Sequence, residues 1–128
     1  MLTQEQKQET VNRVVAFMSE QRLPAHDGEA CAYWDHDDRQ CAIGCLMTEE
    51  QCIEADDKCW TPRDIATKKG WNGWTEEDSD FLMALQGCHD DAAPSNARAD
   101  SDPFLPEFDI RISRFCEDWK LVHPGGLC

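Results

Sequence analysis

What this chain lacks narrows its reading first. No apolar run approaches the ~20 residues that a membrane-spanning helix needs. The first residues, Met1 to Lys7, are polar and lack the apolar core of a signal peptide. The expectation is a cytosolic protein with no membrane contact. Cations are scarce: 12 Lys and Arg stand against 26 Asp and Glu, for a net charge of −14. Such a surface repels phosphates, so direct nucleic-acid binding is not expected. There is no Cys-x2-Cys pair, no nucleotide-binding or catalytic motif, no internal repeat and no domain boundary. At 128 residues the chain reads as a single domain, 1–128, able to bury a core of its own.

The charge that is present is uneven. Residues 24–59 hold ten acids and two bases, a net −8, and residues 76–109 hold ten acids and one base, a net −9. The eight cysteines, in a reducing compartment, read as buried thiols or metal ligands in preference to disulfides.

Helix signals are clear. Thr3 with Gln6, Thr48 with Gln51, Thr61 with Asp64 and Thr75 with Asp78 each form a start signal, a capping threonine with an acid or amide three residues on. Val11, Val14, Val15 and Met18 make one apolar face, and Phe81, Leu82, Leu85 and Cys88 or His89 another. The last helix, from Asp102-Pro103 to about Leu121, carries Phe104, Phe108, Ile112, Phe115 and Trp119. Gly70 stops the third helix. Residues 91–102 read as a long loop, and residues 1–2 and 123–128 as frayed ends.

Between the first two helices lie two short apolar runs, 31–34 and 40–44, joined by the polar turn Asp35 to Arg39. This reads as a β-hairpin, with Gly44 allowing a bend or a close approach. The expected fold class is therefore α+β and mainly helical: about five helices packed around a small two-stranded β-hairpin.

The segment Cys31-Ala-Tyr-Trp, followed by Arg39-Gln-Cys41-Ala-Ile-Gly-Cys45-Leu-Met47, and the later Leu85-Gln-Gly-Cys-His89-Asp90, resemble a family of small uncharacterised tailed-phage and prophage proteins. That family carries a Cys-Ala-(Ile/Val)-Gly-Cys-Leu block and a later Leu-Gln-x-x-His-Asp element. The resemblance covers roughly residues 10–120. It departs after Met47, where Thr48-Glu49 and Cys52 replace the family's Pro-Asp/Glu and tyrosine. It implies a phage-type origin and no activity.

Three kinds of chemistry are open to these residues. A thiol-dependent hydrolase or transferase would pair Cys41 or Cys45 with His89, given a base within hydrogen-bond reach. A small zinc-binding module would draw on Cys41, Cys45, Cys88 and His89. Dense carboxylates, Asp35, Asp37, Asp38, Glu49, Glu50, Glu76, Glu77 and Asp80, would suit a basic partner, including one that normally holds nucleic acid. Asp35, Asp37 and Asp38 do not make a calcium loop, which needs a glycine and a distal glutamate that are absent. The leading expectation is a non-enzymatic phage-type protein without a cofactor. It binds and inhibits or modulates a host protein in an anti-defence or host-takeover role. The zinc module and the thiol enzyme stand as alternatives.

Overall fold

A computed structural model of the chain describes residues 1–27, 30–93 and 104–125. Among them, five helices are built where the local signals fall. Helix α1 spans Gln4–Gln21, with a reciprocal Thr3–Gln6 capping box at its start and Arg22 in a left-handed conformation at its end. Helix α2 spans Glu49–Lys58 behind Thr48 and Gln51, and runs one turn past the expected end near Ala55. Helix α3, Pro62–Asp64, is capped by Thr61 and continues through a wide helical turn, Ile65–Lys69, to left-handed Gly70. Thr75 and Asp78 open a short 3₁₀ turn that leads into α4, Ser79–Asp90. Helix α5 spans Phe104–Trp119. At Thr3, Thr48 and Thr61 the threonine hydroxyl takes one of the first free amides and the third residue's side chain takes another, whereas at Thr75 the Asp78 carboxylate accepts both the Thr75 N–H and its hydroxyl.

The core lies between α1, α4 and α5. Val11, Val14, Val15 and Met18 meet Phe81, Leu82 and Leu85, and Phe108, Ile112 and Phe115 close the other side. Each helix presents one apolar stripe and leaves its charges outside, which is how most helical stability arises in a small domain. The ends of α1 and α5 are tied together. Gln4 Nε2 donates to the Trp119 and Lys120 carbonyls, and Gln8 exchanges two hydrogen bonds with the Val122 backbone. The buried Asp78 also accepts the Leu2 N–H at 2.7 Å, which links the residues before α1 to the turn before α4.

The α+β expectation is corrected: the fold is helical. Runs 31–34 and 40–44 do not pair as a hairpin and share only one bridge, Trp34 with Gln40. The sole ladder among the described residues joins His26–Asp27 to Ala30–Cys31, two residues a side and upstream of the expected hairpin. That is far short of a sheet layer. The cause lies in side chains that capture the backbone first. Asp56 on α2 accepts the N–H groups of both Tyr33 and Trp34, at 2.9 and 3.2 Å. Asp35 accepts those of Asp37 and Arg39, at 2.8 and 2.9 Å. After Cys41 the chain coils into a 3₁₀ turn, Gly44–Leu46, instead of extending.

No helix of the described residues is long and apolar enough to cross a membrane. Most of the expected loop 91–102, from residue 94 on, lies outside the described residues, as do residues 126–128.

Candidate functional site

The segment Cys41 to Met47 is held from both sides. Gln21, at the end of α1, accepts the Gln40 N–H and donates to the Gln40 carbonyl, both at 2.8 Å. Gln86 on α4 accepts the Ile43 N–H at 3.0 Å. Gly44 sits against Tyr33, where an added Cβ would fall 2.1 Å from the Tyr33 carbonyl oxygen. Only glycine permits that approach. The segment thus carries no sheet, yet every strut around it is a long-range contact.

Its chemistry is turned inward. Cys41, Ala42 and Ile43 are fully buried. The Gly44 N–H points at Cys41 Sγ, Cys45 Sγ donates to the Ala42 carbonyl and Cys52 Sγ to that of Gly44. Burial pushes the Cys41 thiol well up and those of Cys45, Cys52 and Cys88 up to about 12. A thiol in that range is a poor nucleophile, because attack needs the thiolate. His89 is also engaged on both nitrogens. The Ala25 N–H donates to Nε2 at 3.0 Å, so the proton sits on Nδ1 and is given to Asp90 Oδ1 at 2.9 Å. Gln86 Nε2 reaches the same Asp90 oxygen at 2.8 Å. Asp90 therefore does orient His89, but toward the backbone of the chain and not toward a sulfur. Cys88 donates instead to the Arg111 carbonyl on α5. Among the described residues no three His, Cys, Asp or Glu side chains gather as a metal site.

The carboxylates divide into two groups. Asp35 is buried, 6% exposed, and is spent on closing its own loop. Its removal from the outward set follows from that geometry. Asp37, Asp38, Glu49, Glu50, Glu76 and Glu77 are exposed. Asp80 is exposed as well, but holds Arg63 at 2.6 Å. Asp38 takes the Trp34 indole N–H at 3.1 Å with its backbone at φ 59°, so the acidic turn is built rather than loose.

A feature that the sequence reading missed is a groove of about 770 Å³ between the Tyr33–Trp34 segment, α2, the Trp60–Pro62 turn and α4. Trp34, Trp60, Ile53 and Met83 supply its apolar lining, and Asp56, Asp90 and Asp91 its charge. His36 lines it too, and among the described residues no Lys or Arg does. Ile53 and Met83 are exposed there at 59% and 37%. Both fall off the apolar stripes of their helices, which was the available signal. Met83 and Gly87 of α4, with Asp91 just past its end, also line a smaller depression of about 340 Å³ facing α5. No protein-family model matches the chain, and neither does any curated protein or solved structure.

Proposed function

We propose that this chain is a non-enzymatic, phage-type accessory protein that acts by binding a basic host protein, one whose own ligand is nucleic acid, and inhibiting or redirecting it. The observation that carries the reading is the division of polar chemistry. The thiols of Cys41, Cys52 and Cys88 and the His89 imidazole are committed to the interior, while seven of the eight carboxylates singled out from the sequence stand exposed, Asp37 lying 3.7 Å from Arg39 and Asp80 2.6 Å from Arg63. Rows of exposed carboxylate on a chain of net charge −14 imitate the charge of a phosphate backbone and steer a cationic surface toward it. The resemblance to small phage proteins supplies the setting.

The test is competition. The protein is titrated against basic nucleic-acid-binding proteins from a bacterial lysate, with a DNA duplex as competitor, at ~50 and ~200 mM salt. Displacement of the DNA that weakens steeply with salt and is lost in the variant Asp37→Lys, Asp38→Lys, Glu49→Lys, Glu50→Lys supports the reading. Capture that is flat in salt and indifferent to charge reversal counts against it.

A further inference from the structure

Of the three asparagines in the chain, only Asn72 is followed by glycine. Asparagine is one of the chemically labile residues. A following glycine leaves the attacking amide nitrogen unshielded, because it carries no Cβ. Asn72 and Gly73 are both exposed, in a turn between the left-handed Gly70 and the buried Trp74. Asn72 is itself left-handed, at φ 59° and ψ 21°, and Gly73 follows at φ 77°. Asparagine enters that region more readily than most residues. A long-range bond secures it there: Asn72 Nδ2 donates to the Leu46 carbonyl at 3.0 Å, at the end of the 3₁₀ turn Gly44–Leu46. Trp71 braces the same turn against Trp60, with ring centroids 5.9 Å apart. At this ψ the Gly73 nitrogen is turned away from the Asn72 side chain, so a five-membered ring cannot close until that bond rotates.

We infer that Asn72 is a site of self-modification gated by this turn. Closed, the turn protects the side chain; opened, it lets the residue convert irreversibly to aspartate or isoaspartate. In the open turn the Gly73 amide nitrogen gives up its proton to solvent and attacks Asn72 Cγ. The N–Cγ bond forms, the Cγ–Nδ2 bond breaks, and Nδ2 takes a proton from solvent and leaves as ammonia. Water then adds to one of the two carbonyls of the cyclic imide. Breaking the N–Cγ bond gives aspartate in an ordinary chain. Breaking the bond to the backbone carbonyl carbon gives isoaspartate, whose chain runs through the side chain and is one carbon longer. Water is the only reactant consumed. A carboxylate accepts hydrogen bonds and donates none, so neither product restores the bond to Leu46. The added carbon of the isoaspartate falls two residues before Trp74, which the turn delivers into the core. The conversion thus records how long the turn has stood open, a local event that needs less free energy than global unfolding.

The full chain is incubated at mildly alkaline pH, in buffer and in unfolding guanidinium chloride, and residue 72 is followed by peptide mass mapping. Conversion should run about tenfold faster or more in denaturant, because in buffer only the open fraction reacts. Asn12, within α1 and followed by arginine, should convert more slowly than Asn72 in denaturant. Trp71→Ala removes the brace on Trp60 and keeps the Asn–Gly pair. It should speed conversion severalfold in buffer and leave the denatured rate unchanged, with circular dichroism verifying that it is folded. If that variant does not fold, Trp60→Phe trims the same contact and takes its place. Asn72→Asp should melt below the parent. Equal rates for the parent in buffer and denaturant would overturn the gate, as would a folded brace variant that converts no faster. No conversion in denaturant would overturn the site itself. A parent-like melt for Asn72→Asp would overturn the part given to the Leu46 bond.

Discussion

The side-chain carbonyl of Gln86 accepts the backbone N–H of Ile43 at 3.0 Å, across 43 residues of chain. This one bond joins the two sequence blocks, Cys41 to Met47 and Leu85 to Asp90, on which the resemblance to small phage proteins was drawn. Gln86 is buried and its amide is then passed on to Asp90, which steadies His89, which takes the Ala25 N–H. The blocks are the two halves of one polar core.

Cutting that bond should therefore cost stability directly. Gln86→Leu leaves the Ile43 N–H buried without a partner, and a loss of about 1–3 kcal/mol is expected. Gln86→Glu keeps the acceptor but sets a second carboxylate beside Asp90, and like charges favour the protonated form. That variant should be weakest at neutral pH and recover on acidification. Urea unfolding at pH 5 and pH 7.5 separates the two. Stability unchanged in either variant would show the network to be incidental.

The two contrasting glycines make a second prediction. Gly44→Ala forces a Cβ to 2.1 Å from the Tyr33 carbonyl, so backbone must move, with a loss of about 3 kcal/mol or more. Gly87→Ala should instead gain about 0.5–1 kcal/mol from better helix propensity. Thermal melts of both proteins read the sign. A stable Gly44→Ala protein would contradict the close approach.

Much of this was legible in the residues themselves. All four threonine starts hold, because a capping box is complete within four residues and needs nothing from elsewhere. The apolar stripes hold for the same reason of local periodicity. The hairpin did not hold, because its fate depended on Asp56, 22 residues beyond Trp34, reaching back to take the two amides a strand would have needed. Asp35 read as an outward charge, and only its inward turn to Asp37 and Arg39 shows otherwise. The groove was beyond reach from sequence, since it belongs to four separate stretches and to none singly. Ile53, Met83 and Gly87 were its only local traces, each a residue that its own helix did not need.

Alkaline pH offers a third prediction. The buried thiols of Cys41, Cys45, Cys52 and Cys88 are held above the ordinary value of 9.0, in the first place by desolvation. In the unfolded chain they ionise near that ordinary value, while the folded protein keeps their protons. Folding stability is thus fully present below pH 9 and declines between pH 9 and about 12. Each thiol contributes up to about 1.4 kcal/mol per pH unit in that window. Denaturant midpoints at pH 8, 9, 10 and 11 should fall progressively, and Cys88→Ala should flatten the slope by one thiol's share. A midpoint constant to pH 11 would contradict the burial of these groups.

The side-chain struts around residues 25–43 carry one more consequence, for the order in which the protein comes apart. The amides of Ala25, Gln40 and Ile43 each donate to a side chain of a helix, His89, Gln21 and Gln86 respectively. Amides inside α1 or α4 stay shielded as long as their own helix persists. These three lose their shield as soon as the helices part. In hydrogen exchange, Ala25 and Ile43 should therefore behave as docking reporters: protected only in the fully assembled protein, and silent in any compact state that keeps its helices but has lost their mutual registry.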